Sequence, residues 1–330
     1  MAMTTTRRTF LQGASAALAG VLGAASAPAR AAAPIKVTWA LLASGINGVF
    51  ASYLLAKRFD REQGIELVTT QTYVDVGTYY SDFVAGRSDV QFGSWDTYAA
   101  RYLAGVPIRL IATLTPADIV GIMVRADGPK SVADLRGKQV AAPKATGTYR
   151  LTTAFLKRFH GLELETDAQV QNVPSPATSI TYLLANRADA ALSWEPNLSI
   201  GLRRQPTARI LYNLGGDYKA KTGDTLWFFG VAAQKSLLDR HPTIDQKIVA
   251  AYRRTAEELQ RNLDEALTIA AQTAEIDRTA LRLAFDSGRT RFTPESMKDA
   301  RPALRRQADF LAEGRVFERK VDDQFFYSSA

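Results

Sequence analysis

The residues best placed to do chemistry form binding loops rather than a catalytic set. Pro143-Lys144-Ala145-Thr146-Gly147-Thr148-Tyr149-Arg150 stands between a β-like run and an amphipathic helical run. Small and hydroxyl-bearing residues at a helix start leave backbone N–H groups free. With Thr146, Gly147, Thr148 and Tyr149 they can surround an anionic or strongly polar group, and Lys144 adds charge. An ordinary strand-to-helix turn capped by Thr146 or Thr148 fits the same spacing.

A second signal is a repeated element. Phe83-Val84-Ala85-Gly86-Arg87-Ser88-Asp89 runs on to Ser94-Trp95-Asp96, and Leu183-Leu184-Ala185-Asn186-Arg187-Ala188-Asp189 runs on to Ser193-Trp194-Glu195. Each reads as a helix end, a turn at a residue suited to positive φ, a buried strand, then a Trp and an acid. Trp95, Asp96, Trp194 and Glu195 are therefore candidates for a shared cleft. The competing readings are helix capping for the acids, strengthened by Pro196 after Glu195, and core packing for the tryptophans. Weaker candidates past other strand ends are Ser44 and Asn47 in Ala43 to Gly48, Thr115 in Thr113 to Pro116, and Ser175 in Pro174 to Pro176.

These loops need strand tips to hold them. From Ile35 onward short β-rich runs alternate with amphipathic stretches, which predicts βαβ units and mainly parallel sheets. Strands are expected at 37–42, 65–73, 90–93, 108–113 and 120–125. The order restarts after Gly128-Pro129 with strands at 139–142, 169–173, 190–193 and 208–214. A strand at 227–232 is followed by helices only. Two rounds of one alternation predict two α/β lobes, and in open α/β sheets ligands bind beyond the carboxyl ends of the strands.

The chain has 330 residues, no Cys, two His and a formal charge of +8. Without Cys there is no lipid-modified anchor, disulfide or thiol chemistry. His160 and His241 have no acidic cluster at ligand spacing, so neither a metal nor a cofactor is expected. The basic residues are scattered among acids, unlike a nucleic-acid footprint. Thr6-Arg7-Arg8-Thr9-Phe10-Leu11-Gln12 precedes an Ala/Gly-rich run too weakly apolar for a membrane span, the pattern of a twin-arginine export signal. Cleavage is expected after Ala31. The mature chain then loses Arg7, Arg8 and Arg30 and no acid, so its charge falls to +5.

The mature chain resembles the nitrate/sulfonate/taurine-type substrate-binding proteins of ABC importers, a group with relatives that bind thiamine pyrimidine precursors. The resemblance is carried by Phe83 to Asp89, by Ser131-Val132-Ala133-Asp134-Leu135-Arg136-Gly137-Lys138-Gln139-Val140-Ala141, by the loop Lys144 to Tyr149, and by Asn186 to Pro196. It implies a type II periplasmic-binding-protein fold, two α/β lobes joined by two hinge crossings, with a helical C-terminal segment. The implied lobes are 35–127 plus 225–330, and 128–224, with hinges near 126–130 and 217–225. The implied function is non-catalytic: a periplasmic monomer, free of the membrane, delivers a small molecule to an inner-membrane permease and its ATPase. The resemblance places an anionic head group at Thr146 to Tyr149, opposite the first-strand loop and the Trp194-Glu195 corner. Asp96 and Glu195 are expected to bring negative charge to the cleft, favouring an amino-sulfonate or aminopyrimidine over a bare inorganic anion. The alternatives are a thiamine pyrimidine precursor as ligand, or a periplasmic sensing module.

Overall fold

A computed structural model describes residues 33–42, 45–73, 75–273 and 277–329 of the chain. The expected export signal and the candidate Ser44 lie outside the described residues.

Strand β1 (Ile35–Leu42) leads into helix α1 (Ile46–Lys57). The apolar stripe from Gly48 to Gln63 reads in sequence as one helix, but Arg58 takes a left-handed φ of 58° and a separate turn, α2 (Phe59–Glu62), follows. Next come β2 (Ile65–Tyr73), α3 (Val76–Val84), β3 (Val90–Ser94), α4 (Trp95–Leu103) and β4 (Ile108–Pro116). The chain then forms β5 (Val120–Val124), β6 (Gln139–Ala142), α5 (Gly147–His160), α6 (Leu164–Asp167), β7 (Gln169–Asn172), α7 (Pro176–Leu184) and β8 (Ala190–Trp194). After these come α8 (Asn197–Arg204), β9 (Arg209–Asn213) and α9 (Leu214–Thr222). The last section holds β10 (Trp227–Gln234), α10 (Lys235–Arg240), α11 (Ile244–Arg261), α12 (Leu263–Thr273), α13 (Arg278–Asp286), the two-residue β11 (Glu295–Ser296) and α14 (Met297–Glu313).

The strands form two sheets of matching plan. One runs β2-β1-β3-β10-β4-β11 and the other β7-β6-β8-β5-β9. In each, three parallel strands are followed by an antiparallel strand inserted from elsewhere in the chain, β10 in the first and β5 in the second. Both inserted strands are buried along their whole length, as apolar runs of this kind must be when both sheet faces are covered. The repeated element stands as expected: Gly86 and Asn186 both have positive φ, 77° and 57°, at the turns before β3 and β8.

The boundary between lobes differs from the expected one. β5 pairs with β8 and β9, so the first passage between sheets lies between Pro116 and Val120 and not at 126–130. Gly128-Pro129 is a turn inside the second lobe. The return passage, between Thr222 and Trp227, overlaps the end of the expected 217–225 region and runs beyond it. The two passages run side by side, with the Ala117 N–H donating to the Leu226 carbonyl at 2.8 Å.

Candidate functional site

A cavity of about 620 Å³ opens between the strand tips of the two sheets. Five helix N-termini reach its wall, those of α1, α3 and α4 from the first lobe and those of α5 and α7 from the second. Each carries the partial positive charge of unpaired N–H groups. They are not equivalent. The Asp75 carboxylate accepts from the Thr78 N–H at 2.7 Å and fills the end of α3, and this bond holds Asp75 below its ordinary carboxyl range. Ser175 caps α7, where Pro176 has no N–H to offer. α1 starts from Gly45, which has no side chain to cap it. In α5 the Thr146 hydroxyl accepts only from Tyr149 N–H, leaving the amides of Gly147 and Thr148 without a partner among the described residues. The start of α4 already carries the Asp96 carboxylate in its first turn, so the two ends left to an anion, α1 and α5, come one from each lobe.

Gly147 is required by the meeting of the lobes. A Cβ there would come within 2.9 Å of Ser94 Cβ and closer still to Ser94 Oγ and Asp96 Oδ1. Arg150, one turn along α5, lines the cavity and reaches across to the first lobe. Its Nε and Nη2 donate to Asp96 Oδ2 at 2.9 and 2.7 Å, and Nη2 also donates to Thr97 Oγ1 at 2.6 Å. The Asp96 charge pushes the Arg150 guanidinium above its ordinary value. Both N–H groups of Nη1 keep no partner among the described residues.

The predicted site residues divide. Asn47, Thr146, Gly147, Thr148 and Trp194 line the cavity. Asn47 is 5% exposed and its Oδ1 has no hydrogen-bond partner. Trp95 does not line it: its ring packs edge-on to Phe317 and its Nε1 donates to the Trp227 carbonyl at 2.9 Å. Thr115 is buried within β4, in register with Phe229. Tyr149 points elsewhere, its hydroxyl donating to Glu165 at 2.5 Å, and burial with that carboxylate pushes its pKa up. Lys144 goes the same way, pairing with Glu165 at 2.7 Å.

The two acids do not act as expected. Asp96 and Glu195 are both fully buried and each has its own arginine, Arg150 for Asp96 and Arg289 for Glu195 at 2.6 Å. Glu195 also accepts from the Ser199 N–H at 3.1 Å, binding the first turn of α8 from the residue before its N-cap, Pro196. Neither presents an uncompensated charge to the cleft, so the argument against a simple anion falls. Arg289 follows α13, and Asp96 lies on α4, so both pairs join the second lobe to the rest of the molecule.

Sequence reasoning passed over Asp75, Tyr79, Tyr80, Phe92, Arg101, Arg150, Asn172, Phe228 and Phe229 as wall residues. Only three of them carried a readable signal: Asp75 before Thr78 is a capping pattern, and Phe228-Phe229 lie at the start of a strand that leaves the cleft. The Tyr80 hydroxyl accepts from the Ser94 N–H at 2.8 Å, and burial raises its pKa.

A family model described as NMT1/THI5-like matches residues 47–266, which span both lobes and the whole cavity wall except its first edge. The chain belongs to the NMT1/THI5-like family. Solved structures share its fold at low identity. The periplasmic aliphatic sulphonate binding protein SsuA from Escherichia coli is 18% identical, with a TM-score of 0.74 over 90% of this chain and 93% of that one. The alkanesulfonate-binding protein SsuA from Xanthomonas axonopodis pv. citri bound to MOPS is also 18% identical, with a TM-score of 0.69 over 90% and 97%. The desulfurization enzyme DSZB, 17% identical with a TM-score of 0.61 over 89% and 96%, shows that the fold also carries an enzyme. No curated protein sequence matches the chain. The type II periplasmic-binding-protein architecture expected from the sequence is the one this NMT1/THI5-like chain adopts.

Proposed function

We propose that this chain is the exported, periplasmic solute-binding component of an ABC importer, and that it captures a small organic anion or zwitterion of the sulfonate class between its lobes. The carrying observation is the pair of open helix ends, α1 and α5, brought from opposite lobes to one cavity beside the free Nη1 of Arg150. Amides aimed at one point from both sides stabilise a bound anion and tie its binding to closure. The two SsuA proteins, which bind sulfonates, share this fold and lend support to the head-group class. The twin-arginine segment supports export, and the lack of Cys supports a protein not tethered by a lipid. The partners in this reading are an inner-membrane permease with its ATPase, and the protein works as a monomer without cofactor or metal.

The lobe junctions at Pro116 to Val120 and Thr222 to Trp227 serve as the hinge pair in this reading. DSZB makes catalysis the natural rival. On the cavity wall the Ser94 hydroxyl donates to the Asp96 carboxylate, but that carboxylate is engaged in an ion pair with Arg150; Cys is absent from the sequence, and His160 is bonded to Asp217 on α9 outside the wall. An aminopyrimidine is the second ligand reading, favoured by Asp75 and Asn47, which can accept its N–H groups.

The test is a thermal-shift screen of the purified protein against alkanesulfonates, taurine, small carboxylates and thiamine-pyrimidine precursors. A ligand at a hundredfold excess over its Kd adds about 2.7 kcal/mol of stability, a shift easily read. If no anion in the panel raises the melting temperature, the solute-binding reading is wrong.

A further inference from the structure

Resting on the importer reading, we propose that the solute is an arene-bearing monoanion, an aryl sulfonate or aryl carboxylate, whose ring lies against Trp194. The cavity's 620 Å³ falls mid-range among cavities that enclose drug-sized ligands, about 300–1,000 Å³, and is far larger than a two-carbon amino-sulfonate needs.

Its wall supplies the ring's surroundings. Tyr79, Tyr80, Phe92, Phe228 and Phe229 enter from the first lobe and Trp194 from the second. Trp194 differs from the other tryptophans. Trp39, Trp95 and Trp227 are buried, and the indoles of Trp39 and Trp95 donate to Thr69 and to the Trp227 carbonyl. Trp194 is half-buried, lines the cavity and has no ring partner among the described aromatic pairs. An indole left open on the wall of a cleft offers a flat apolar face, which an aromatic ring matches better than an alkyl chain does.

Charge sets the valence. Asp75, Arg101 and Arg150 line the cavity and Asp96 behind the wall neutralises Arg150, so these four charges sum to zero. The open amides at the starts of α1 and α5 then add positive potential to the cavity from opposite lobes, suited to one negative charge.

The experiment is isothermal titration of the purified protein with benzenesulfonate, 2-naphthalenesulfonate, benzoate, n-butanesulfonate, taurine and neutral benzenesulfonamide, repeated on Trp194→Phe and Trp194→Ala. The expected result is that an aryl anion binds at least tenfold tighter than butanesulfonate and than benzenesulfonamide. Trp194→Phe should keep that ratio and Trp194→Ala should bring it within about twofold. Benzoate against benzenesulfonate tells the two head groups apart. Butanesulfonate or taurine binding as tightly as the arenes, or a preference untouched by Trp194→Ala, overturns this inference and leaves the importer reading standing. No binding by any anion overturns both.

Discussion

Gly147→Ala places a methyl group in the seam between the lobes, where it meets Ser94 Cβ at 2.9 Å and runs into Ser94 Oγ and Asp96 Oδ1. Those atoms have little room to retreat, because Asp96 is held by Arg150 and Ser94 by the Tyr80 hydroxyl. Overpacking of this kind costs about 1–3 kcal/mol. The clash lies between lobes and not within one, so parting them relieves it without unfolding either. The cost should then fall on the closed, ligand-holding state, which corresponds to about a 5- to 150-fold loss of affinity at 1.4 kcal/mol per tenfold. Unfolding of the ligand-free protein should move by less than about 1 kcal/mol, as for a change that leaves each core alone. Titration with the tightest anion in the panel measures the first effect and urea unfolding the second. Small-angle scattering should show a larger radius of gyration. Native affinity in Gly147→Ala would refute the idea that binding requires the seam to close as seen here.

Arg289→Ala leaves the Glu195 carboxylate fully buried with one N–H donor, and breaking a buried pair from one side costs about 3–5 kcal/mol. Adding Glu195→Gln should recover most of that loss in urea unfolding. Asp96→Asn keeps the shape of the seam but frees the Arg150 charge, so anion affinity should rise several-fold while stability falls, read by titration and melting on one preparation. Glu295 is pushed up in pKa first by burial and then by the Asp299 charge. A carboxyl raised in the folded state favours the protonated fold, so its penalty is absent below the unfolded value of about 4.3 and present once pH passes the folded value. Glu295→Gln should therefore raise the melting temperature at pH 7 and leave it unchanged at pH 3; a gain at both would show that charge is not the cause.

Periodicity and turn chemistry carried most of the fold into view, since strands covered on both faces must be apolar runs and the helices between them must be amphipathic. Local chemistry also placed Thr146, Gly147 and Thr148 on the cavity wall, because a helix start is a property of a few neighbouring residues. What stayed hidden depends on distant partners. Val120 to Val124 reads as a strand, but nothing in five apolar residues says which sheet takes it. Gly128-Pro129 reverses the chain without ending a lobe. Arg150 meets Asp96 across 54 residues and Arg289 meets Glu195 across 94, and no spacing rule joins charges so far apart.

The repeated Trp-acid element shows how one local pattern reaches two ends. In the first lobe β3 stops at Ser94 and α4 begins at Trp95, so the indole enters the first helical turn and is carried into the core against Phe317. In the second lobe Trp194 is still strand, paired with Val120, and the helix waits until Asn197. Pro196 stands as the N-cap of α8, so this helix begins three residues after its Trp and not at it. The delay leaves the indole on the cavity wall. Both acids keep a common task nonetheless, since each closes on an arginine from outside its own sheet's set of strands and helices. The repeated βαβ element thus carries a charge at the lobe junction in both of its occurrences. It has surrendered one aromatic to the core and kept the other facing whatever the cleft admits.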